Sequence, residues 1–220
     1  MKESKKRAYI MNILKRLKSK YKDQMKTSLE HKSLWELFVA TILSVQSQDA
    51  TVNKVTPELF KRFKSPEDMA KARYEDLYPY INKIGLYKTK AKNLVESSKI
   101  IVSKYGSKIP STLNELMELP GVGRKVANVI LSEGFGINEG MAIDTHCITV
   151  SNRLGLVRTS NPLKIEKELT SITPKEEWNN ISNLFIALGR DTCKKRKPEC
   201  YRCVLNDICL YKHKNLINGS

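Results

Sequence analysis

The chain has 220 residues with 40% hydrophobic content, which is enough for one sizeable core or for two small domains that share an interface. Its formal net charge is +16 and is spread along the chain, which makes nucleic acid the first partner to suspect and an anionic membrane surface the second. No apolar run reaches membrane-spanning length, and no signal-peptide core follows the N-terminus. We therefore expect an intracellular protein without membrane association, in the cytoplasm or nucleoid if the source is prokaryotic.

Helical spacing accounts for most of the chain, and no stretch shows the alternation typical of a strand. The first predicted helix covers residues 5–21. Its apolar stripe is formed by Ile10, Ile13, Leu14, Leu17 and Tyr21. Capping residues predict further starts: Ser33 opens a helix that runs to about Val45, and Ser65 with the following proline opens a short one. A long helix is predicted to end at Tyr105. The pattern predicts an all-α fold.

Two short segments interrupt these helices. The first contains Gln46 and directly follows a buried helix, so it is either a plain corner between helices or a polar wall in a cleft. The plain corner is the simpler interpretation. The second, 84–88, combines a glycine with apolar residues that we expect to be exposed, Leu86 among them.

The segment Leu119-Pro120-Gly121-Val122-Gly123-Arg124-Lys125 predicts a helix, a tight glycine hairpin and a second helix over residues 112–134. Thr112 and Glu115 form a capping box for the first of these helices. The buried face of that first helix is predicted to hold Leu113, Leu116 and Met117.

This hairpin predicts chemistry as well as shape. Gly121 and Gly123 can take backbone angles that other residues avoid, and their small size lets a nucleic-acid backbone come close. The N–H groups that open the second helix are a phosphate site, to which Arg124 adds charge. Lys125 falls in the first turn, where the helix dipole disfavours a cation, so we expect an amine that loses its proton more easily than an exposed lysine does. Neutral lysine is a nucleophile; the alternative is a corner with a solvated lysine.

The C-terminal third has three further helix starts. Asp144-Thr145-His146 predicts a helix with Asp144 as its N-cap. Asn161-Pro162 and Thr173-Pro174 predict two more by the same pairing of cap and proline. The last helix is predicted to end at Gly189.

Four of the five cysteines crowd near the C-terminus with the spacing C-x6-C-x2-C-x5-C. They are Cys193, Cys200, Cys203 and Cys209. In an intracellular chain this favours a metal site over disulfides, and the spacing alone leaves zinc and a [4Fe–4S] cluster equally open. The basic loop between the first two ligands makes Lys194, Lys195 and Lys197 candidates for phosphate contacts. Cys147 is expected to be a small core residue.

The hairpin, the segment 143–146 and the cysteine spacing occur in the order typical of the endonuclease III family of DNA glycosylases, which the chain resembles from about residue 30 to residue 209. The resemblance implies two α-domains with the DNA cleft between them. A six-helix barrel over 27–137 would contain the helix–hairpin–helix at 112–134. A discontinuous domain of 1–26 and 138–220 would carry a [4Fe–4S] cluster at 193–209, which decides the metal in favour of iron–sulfur.

The same resemblance implies roles for individual residues. Lys125 is the expected nucleophile and Asp144 the expected catalytic carboxylate. Gln46 would fill the gap left by a flipped nucleotide, and Leu86 would wedge into the opposite strand. His146 joins the hairpin residues and the loop lysines as an expected DNA contact.

The resemblance also implies an activity. The enzyme would remove oxidised pyrimidines from double-stranded DNA and cleave abasic sites by β-elimination through a lysine Schiff base, acting as a monomer. Two alternatives stay open. A non-catalytic helix–hairpin–helix DNA-binding iron–sulfur protein would not need Lys125 together with Asp144. A glycosylase of different specificity would act on a mismatched or alkylated base.

Overall fold

A computed structural model describes residues 3–217, in which the regular elements are all helical, as the sequence predicts. The α-helices of this part of the chain are α1 Glu3–Lys20, α2 Leu34–Ser44, α3 Asp49–Arg62, α4 Pro66–Ala70, α5 Tyr74–Ile81, α6 Tyr87–Tyr105, α7 Leu113–Met117, α8 Arg124–Val129, α9 Thr145–Arg153, α10 Pro162–Ile172 and α11 Trp178–Asp191. Short 3-10 turns lie at Lys22–Gln24, Lys175–Glu177 and Cys200–Arg202, and a π-helical turn, Ile130–Phe135, continues α8. In the described residues, no helix combines the length and apolarity needed to cross a membrane.

The chain separates into two compact units, and each is described by itself. The hairpin unit is Ser28–Glu139. The cysteine unit joins Met1–Thr27 to Gly140–Ser220.

Helix α2 supplies the centre of the hairpin unit's core. Residues 37–43 are all at most 3% exposed, as expected for a helix that is apolar nearly all round. The Ser33 hydroxyl accepts the Glu36 N–H, which confirms the predicted cap. The Glu36 carboxylate accepts from the Lys32 N–H, so the box closes one residue earlier than the usual pattern.

The first helix of the hairpin corrects one expectation. Thr112 caps α7 by accepting the Glu115 N–H, and Leu113 and Leu116 are buried as predicted. Met117, predicted on the same face, is 44% exposed. Because α7 ends at Met117 and the chain turns, Leu119, at 2% exposure, takes the core position instead.

In the cysteine unit, the apolar stripe of α1 is buried as predicted. The expected helix start at Thr173-Pro174 is wrong: Thr173 ends α10, and α11 begins only at Trp178, after a 3-10 turn. The Trp178 indole N–H donates to the Thr173 carbonyl at 3.0 Å, whereas within residues 3–217 the buried Thr173 hydroxyl has no hydrogen-bond partner. Helix α11 also continues through Gly189 to Asp191, so this glycine serves packing and not termination.

Candidate functional site

The glycine hairpin is held against α6. Gly121 has φ +82°, a left-handed conformation that strains residues with a Cβ. A Cβ there would also lie 2.7 Å from Nδ2 of Asn93, so both the angle and the close contact require glycine. The Ser97 hydroxyl donates to the Pro120 carbonyl at 2.8 Å and fixes the preceding residue. Helix α6 therefore sets the path of the chain into α8.

Gly123 corrects another expectation. Its backbone is extended, with φ −84° and ψ 172°, which any residue can adopt, and apart from Gly123 and its two chain neighbours no heavy atom of the described chain lies within 4 Å of a Cβ built there. Its role is therefore not conformational. As the N-cap of α8, it has no side chain to accept a first-turn N–H, and it leaves the approach to those N–H groups open.

The first turn of α8 carries two basic residues with different exposure. Arg124 is partly buried, whereas Lys125 is exposed. Val126 and Ala127 follow and are buried, which anchors the helix in the core. The Lys125 amine is thus presented to solvent by a fixed backbone, beside the first-turn N–H groups of the same helix.

Asp144 caps α9 in the cysteine unit, as predicted. Its Oδ1 accepts the Cys147 N–H at 2.8 Å, and the residue is partly exposed. The preceding segment is fixed because the buried Glu166 carboxylate accepts the Met141 N–H at 3.3 Å and Ile143 is buried. A carboxylate oxygen is therefore held at a defined place on a helix N-terminus.

His146 lies on the first turn of the same helix. It packs against Gly189 of α11, where a Cβ would lie 2.7 Å from the His146 Nδ1. Gly189 thus allows α9 and α11 to approach closely, which the sequence pattern did not reveal. Cys147 is 1% exposed, as expected for a core residue.

The two interruptions of the hairpin unit share an unusual backbone. Gln46 has φ +54° and Leu86 has φ +58°, both left-handed, and both side chains are exposed. Leu86 is 61% exposed, a large value for a leucine that caps a helix with one buried face. Each side chain therefore stands on a tight turn that directs it into solvent.

The four clustered cysteines line one cavity together with Arg153, Thr192, Asn206, Tyr211 and Lys214. Among residues 3–217 no disulfide joins them. Burial raises the pKa of the Cys193 and Cys209 thiols, so a thiolate at either position requires a cation nearby. In the described residues, no three side chains of the metal-binding types are grouped so that they could hold one metal ion.

Arg153, the last residue of α9, holds the basic loop between Cys193 and Cys200. Its guanidinium donates to the carbonyls of Cys193, Lys194 and Lys195 at 3.1, 2.8 and 2.9 Å. The loop lysines are exposed, as a phosphate-contacting surface requires. Lys194, however, pairs with the Glu199 carboxylate, so part of its charge is already neutralised.

Comparison with known proteins assigns the chain to a family. The HhH-GPD superfamily of base excision DNA repair proteins matches residues 39–175. Endonuclease III of Bacillus subtilis is 44% identical over 182 residues, 82% of this chain and 83% of the relative. Endonuclease III of Thermotoga maritima is 40% identical over 175 residues, 80% and 82% of the two chains. The chain belongs to the endonuclease III family.

Solved structures agree with this endonuclease III fold. A trapped endonuclease III–DNA covalent intermediate matches with a TM-score of 0.87 and 38% identity, over 95% of this chain and 96% of that one. A thermostable thymine-DNA glycosylase, 21% identical, shares the fold with a TM-score of 0.81 over 94% and 97% of the two chains. The all-α helix–hairpin–helix fold and the assignment to base excision repair glycosylases, both predicted from sequence, are confirmed.

Sequence reasoning missed two basic residues that organise this endonuclease III-family protein. One is Arg153, whose contacts with the cysteine loop cross 40 or more residues of sequence. The other is Lys90, which is buried on α6 at 4% exposure. Lys90 lies one turn before Leu94 on the buried face of α6. Helical periodicity places this lysine among apolar residues, and that position could have identified it from the sequence.

Proposed function

We propose that this endonuclease III-family chain is a bifunctional enzyme, which removes oxidised pyrimidines from double-stranded DNA and then cleaves the strand at the abasic site. The observation that carries the proposal is the first turn of α8, where an N-cap without a side chain stands two residues before the exposed Lys125. Such a terminus attracts a phosphate of the DNA backbone and so brings a sugar close to the amine. The enzyme would act as a monomer, in the cytoplasm with the nucleoid if the source is prokaryotic.

Base removal is the first step. The target nucleotide must leave the stack before its sugar can be reached, and we propose that Gln46 and Leu86 occupy the space that it vacates. Breaking the bond between sugar and base builds positive charge on the sugar, which the Asp144 carboxylate would stabilise. Gly121, Gly123, Arg124 and His146 would hold the backbone meanwhile.

Strand cleavage follows from covalent attachment. The Lys125 amine bonds to the anomeric carbon as the base departs with the bonding electrons, and ring opening gives a protonated imine. The imine acidifies the neighbouring C2′ proton. Loss of that proton expels the 3′ phosphate, which breaks the strand, and hydrolysis of the imine then frees the lysine.

We further propose that the four clustered cysteines hold a [4Fe–4S] cluster. Four thiolates around one zinc ion would lie about 3.8 Å apart, since each Zn–S bond is about 2.3 Å long. A [4Fe–4S] cluster holds its four thiolates farther apart, one at each corner, and the shared cavity together with membership of the endonuclease III family supports that group. The cluster would clamp the segment 193–209, and no step of the reaction passes through it.

In this proposal, the two compact units correspond to the two domains expected from the sequence. The hairpin unit would be the barrel domain expected over 27–137, and the cysteine unit would be the cluster domain expected over 1–26 and 138–220. Lys194, Lys195 and Lys197 would then contact phosphates from the cysteine unit.

Borohydride trapping tests the proposal, because borohydride reduces an imine to a stable amine adduct. The substrates are matched duplexes with an oxidised pyrimidine, an abasic site, a mismatched base or an alkylated base. We expect adducts with the first two. Tight binding without base release or adduct would indicate a non-catalytic DNA-binding protein. Base release without an adduct would exclude the lysine mechanism. Adducts confined to the last two substrates would indicate a different lesion specificity.

A further inference from the structure

Two exposed residues of the hairpin unit are held in a conformation that side chains with a Cβ rarely adopt. Gln46 has φ +54° and Leu86 has φ +58°. A left-handed backbone costs free energy at any residue other than glycine, so it persists only where surrounding contacts hold it. Each residue adjoins a helix end: Gln46 follows α2, and Leu86 is the N-cap of α6.

One buried residue contacts both turns. The Lys90 ammonium donates to the Leu43 carbonyl at 2.8 Å and to the Ser47 hydroxyl at 2.9 Å, on either side of Gln46. The backbone N–H of the same lysine donates to the Leu86 carbonyl at 3.0 Å and closes the first turn of α6. A single residue therefore ties the end of α2 to the start of α6.

The two turns are also close neighbours. A Cβ built on Gly85 would lie 3.7 Å from the Gln46 carbonyl oxygen and 3.8 Å from the Ser47 hydroxyl. A side chain at position 85 would therefore be in van der Waals contact with the turn that carries Gln46, so the two turns are close neighbours.

A lysine is a costly residue at this place. It is 4% exposed, and burial lowers the pKa of its amine to about 8. An apolar side chain would fill the same space without the cost of desolvating a charge. What the ammonium adds is directional bonding to the α2 C-terminus, where unpaired carbonyls and the negative end of the helix dipole favour a cation.

We propose that Lys90 is a positioning residue, which holds the Gln46 and Leu86 turns in register so that both side chains enter a damaged duplex together. The inference rests on the proposed function, because it takes Gln46 and Leu86 to be the residues that enter the duplex. Lys90 itself is buried beneath them and acts through the two turns.

A double-mutant cycle tests this inference with Lys90→Met, Leu86→Ala and the double variant. The Lys90→Met substitution keeps an unbranched side chain, one atom shorter, and removes the donor. Duplex opening is followed by the fluorescence of 2-aminopurine placed opposite an abasic site. Cleavage of an abasic site in single-stranded DNA is the second readout, since it requires no opening. Melting temperatures report folding.

We expect Lys90→Met to reduce opening by about tenfold, the effect of about 1.4 kcal/mol of lost hydrogen bonding, and to leave single-strand cleavage unchanged. In the Leu86→Ala background the same substitution should add little, because the residue that it positions is already gone. Ser47→Ala removes one of the two acceptors and should give the same pattern at smaller amplitude, which keeps the test decisive if Lys90→Met folds poorly.

Two outcomes would overturn the inference for different reasons. If Leu86→Ala alone leaves duplex opening unchanged, the proposed role of Leu86 fails and the inference fails with it. The second outcome starts from a Leu86→Ala variant that does impair opening. If Lys90→Met or Ser47→Ala then adds its full loss in that background, the lysine only supports the fold. The same conclusion follows if either substitution slows single-strand cleavage as much as it reduces duplex opening. The proposed function then stands without it.

Discussion

The N-termini of helices α9 and α8 differ in how they are capped. At α9, the Asp144 side chain accepts a first-turn N–H at 2.8 Å, so the cap is supplied from within the chain. At α8, the cap is Gly123, which has no side chain and has open space where one would lie. The first terminus uses an N–H group to fix a carboxylate, whereas at the second the cap residue has no side chain that could accept an N–H.

The N-terminus of a helix can therefore either position a catalytic carboxylate or bind the substrate. A capped terminus holds a negative charge that can stabilise a developing cation on the sugar. An uncapped terminus attracts the negative charge of the substrate instead. Substitutions at the two termini test this contrast, and the most damaging is expected at Lys125.

Lys125→Gln removes the amine at the uncapped terminus. We expect strand cleavage to fall about a thousandfold or more and the borohydride adduct to disappear, because the amine that forms the imine is gone. Binding to an abasic-site duplex should remain tight, since the glycine cap is intact. Lys88→Gln is the matched control, an exposed lysine at the same position in the first turn of α6. An adduct at the wild-type level in the Lys125 variant would move the nucleophile elsewhere.

Asp144→Asn removes the charge of the capped terminus and keeps the cap. Asn161 shows that asparagine suffices, since its side chain accepts the Lys164 N–H at 3.1 Å to cap α10. We expect base removal to slow by about two orders of magnitude, or about 3 kcal/mol, with an unchanged melting temperature. Cleavage of a pre-formed abasic site should be impaired less, because its glycosidic bond is already broken. Equal losses on both substrates would contradict a role in base removal.

Gly123→Ser converts the uncapped terminus into one that caps itself. The serine hydroxyl should accept a first-turn N–H and compete with phosphate, which weakens binding to an abasic-site duplex by about tenfold while the melting temperature holds or rises. Gly123→Ala is the control for bulk, since it adds a Cβ without an acceptor. If serine and alanine weaken binding equally, the N–H groups do not contact the DNA.

The mildest change is expected for two neighbouring lysines of the cysteine loop. Lys195→Ala should reduce the slope of log K against log salt by about 0.9 for each phosphate that the protein no longer neutralises. Lys194→Ala should reduce it less, because Glu199 already neutralises part of that charge. Fluorescence anisotropy with a duplex at several salt concentrations measures both slopes. Identical slopes for the wild type and both variants would mean that this loop faces solvent.

Local signals predicted the helix caps well because a capping bond spans only three residues. Ser65, Thr112 and Asp144 all accept the predicted N–H. Thr173 failed because the chain forms the 3-10 turn Lys175–Glu177 first, so α11 begins only at Trp178. The conformational role predicted for Gly123 is wrong. The sequence alone does not reveal whether a glycine is needed for a left-handed backbone angle, for a close contact or for an N-cap without a side chain.

The residues that sequence reasoning missed act over long separations. Lys90 reaches Leu43 across 47 positions, and Arg153 reaches Lys194 across 41. Helical periodicity identifies which face of a helix is buried, but it does not identify the partner of a buried polar group. Such pairings are set by tertiary packing, so only the structure brings them together.

The burial of Cys147 has a practical consequence. Its thiol is 1% exposed, with Sγ 3.5 Å from the Ser182 carbonyl oxygen, whereas the other four cysteines are partly exposed. An alkylating reagent can reach Cys147 only when the surrounding core opens. The rate at which this one peptide is labelled, read by mass spectrometry, therefore reports the opening of the cysteine unit without an engineered probe. Cys147 is therefore a native probe of local stability, and its thiol takes no part in the proposed chemistry.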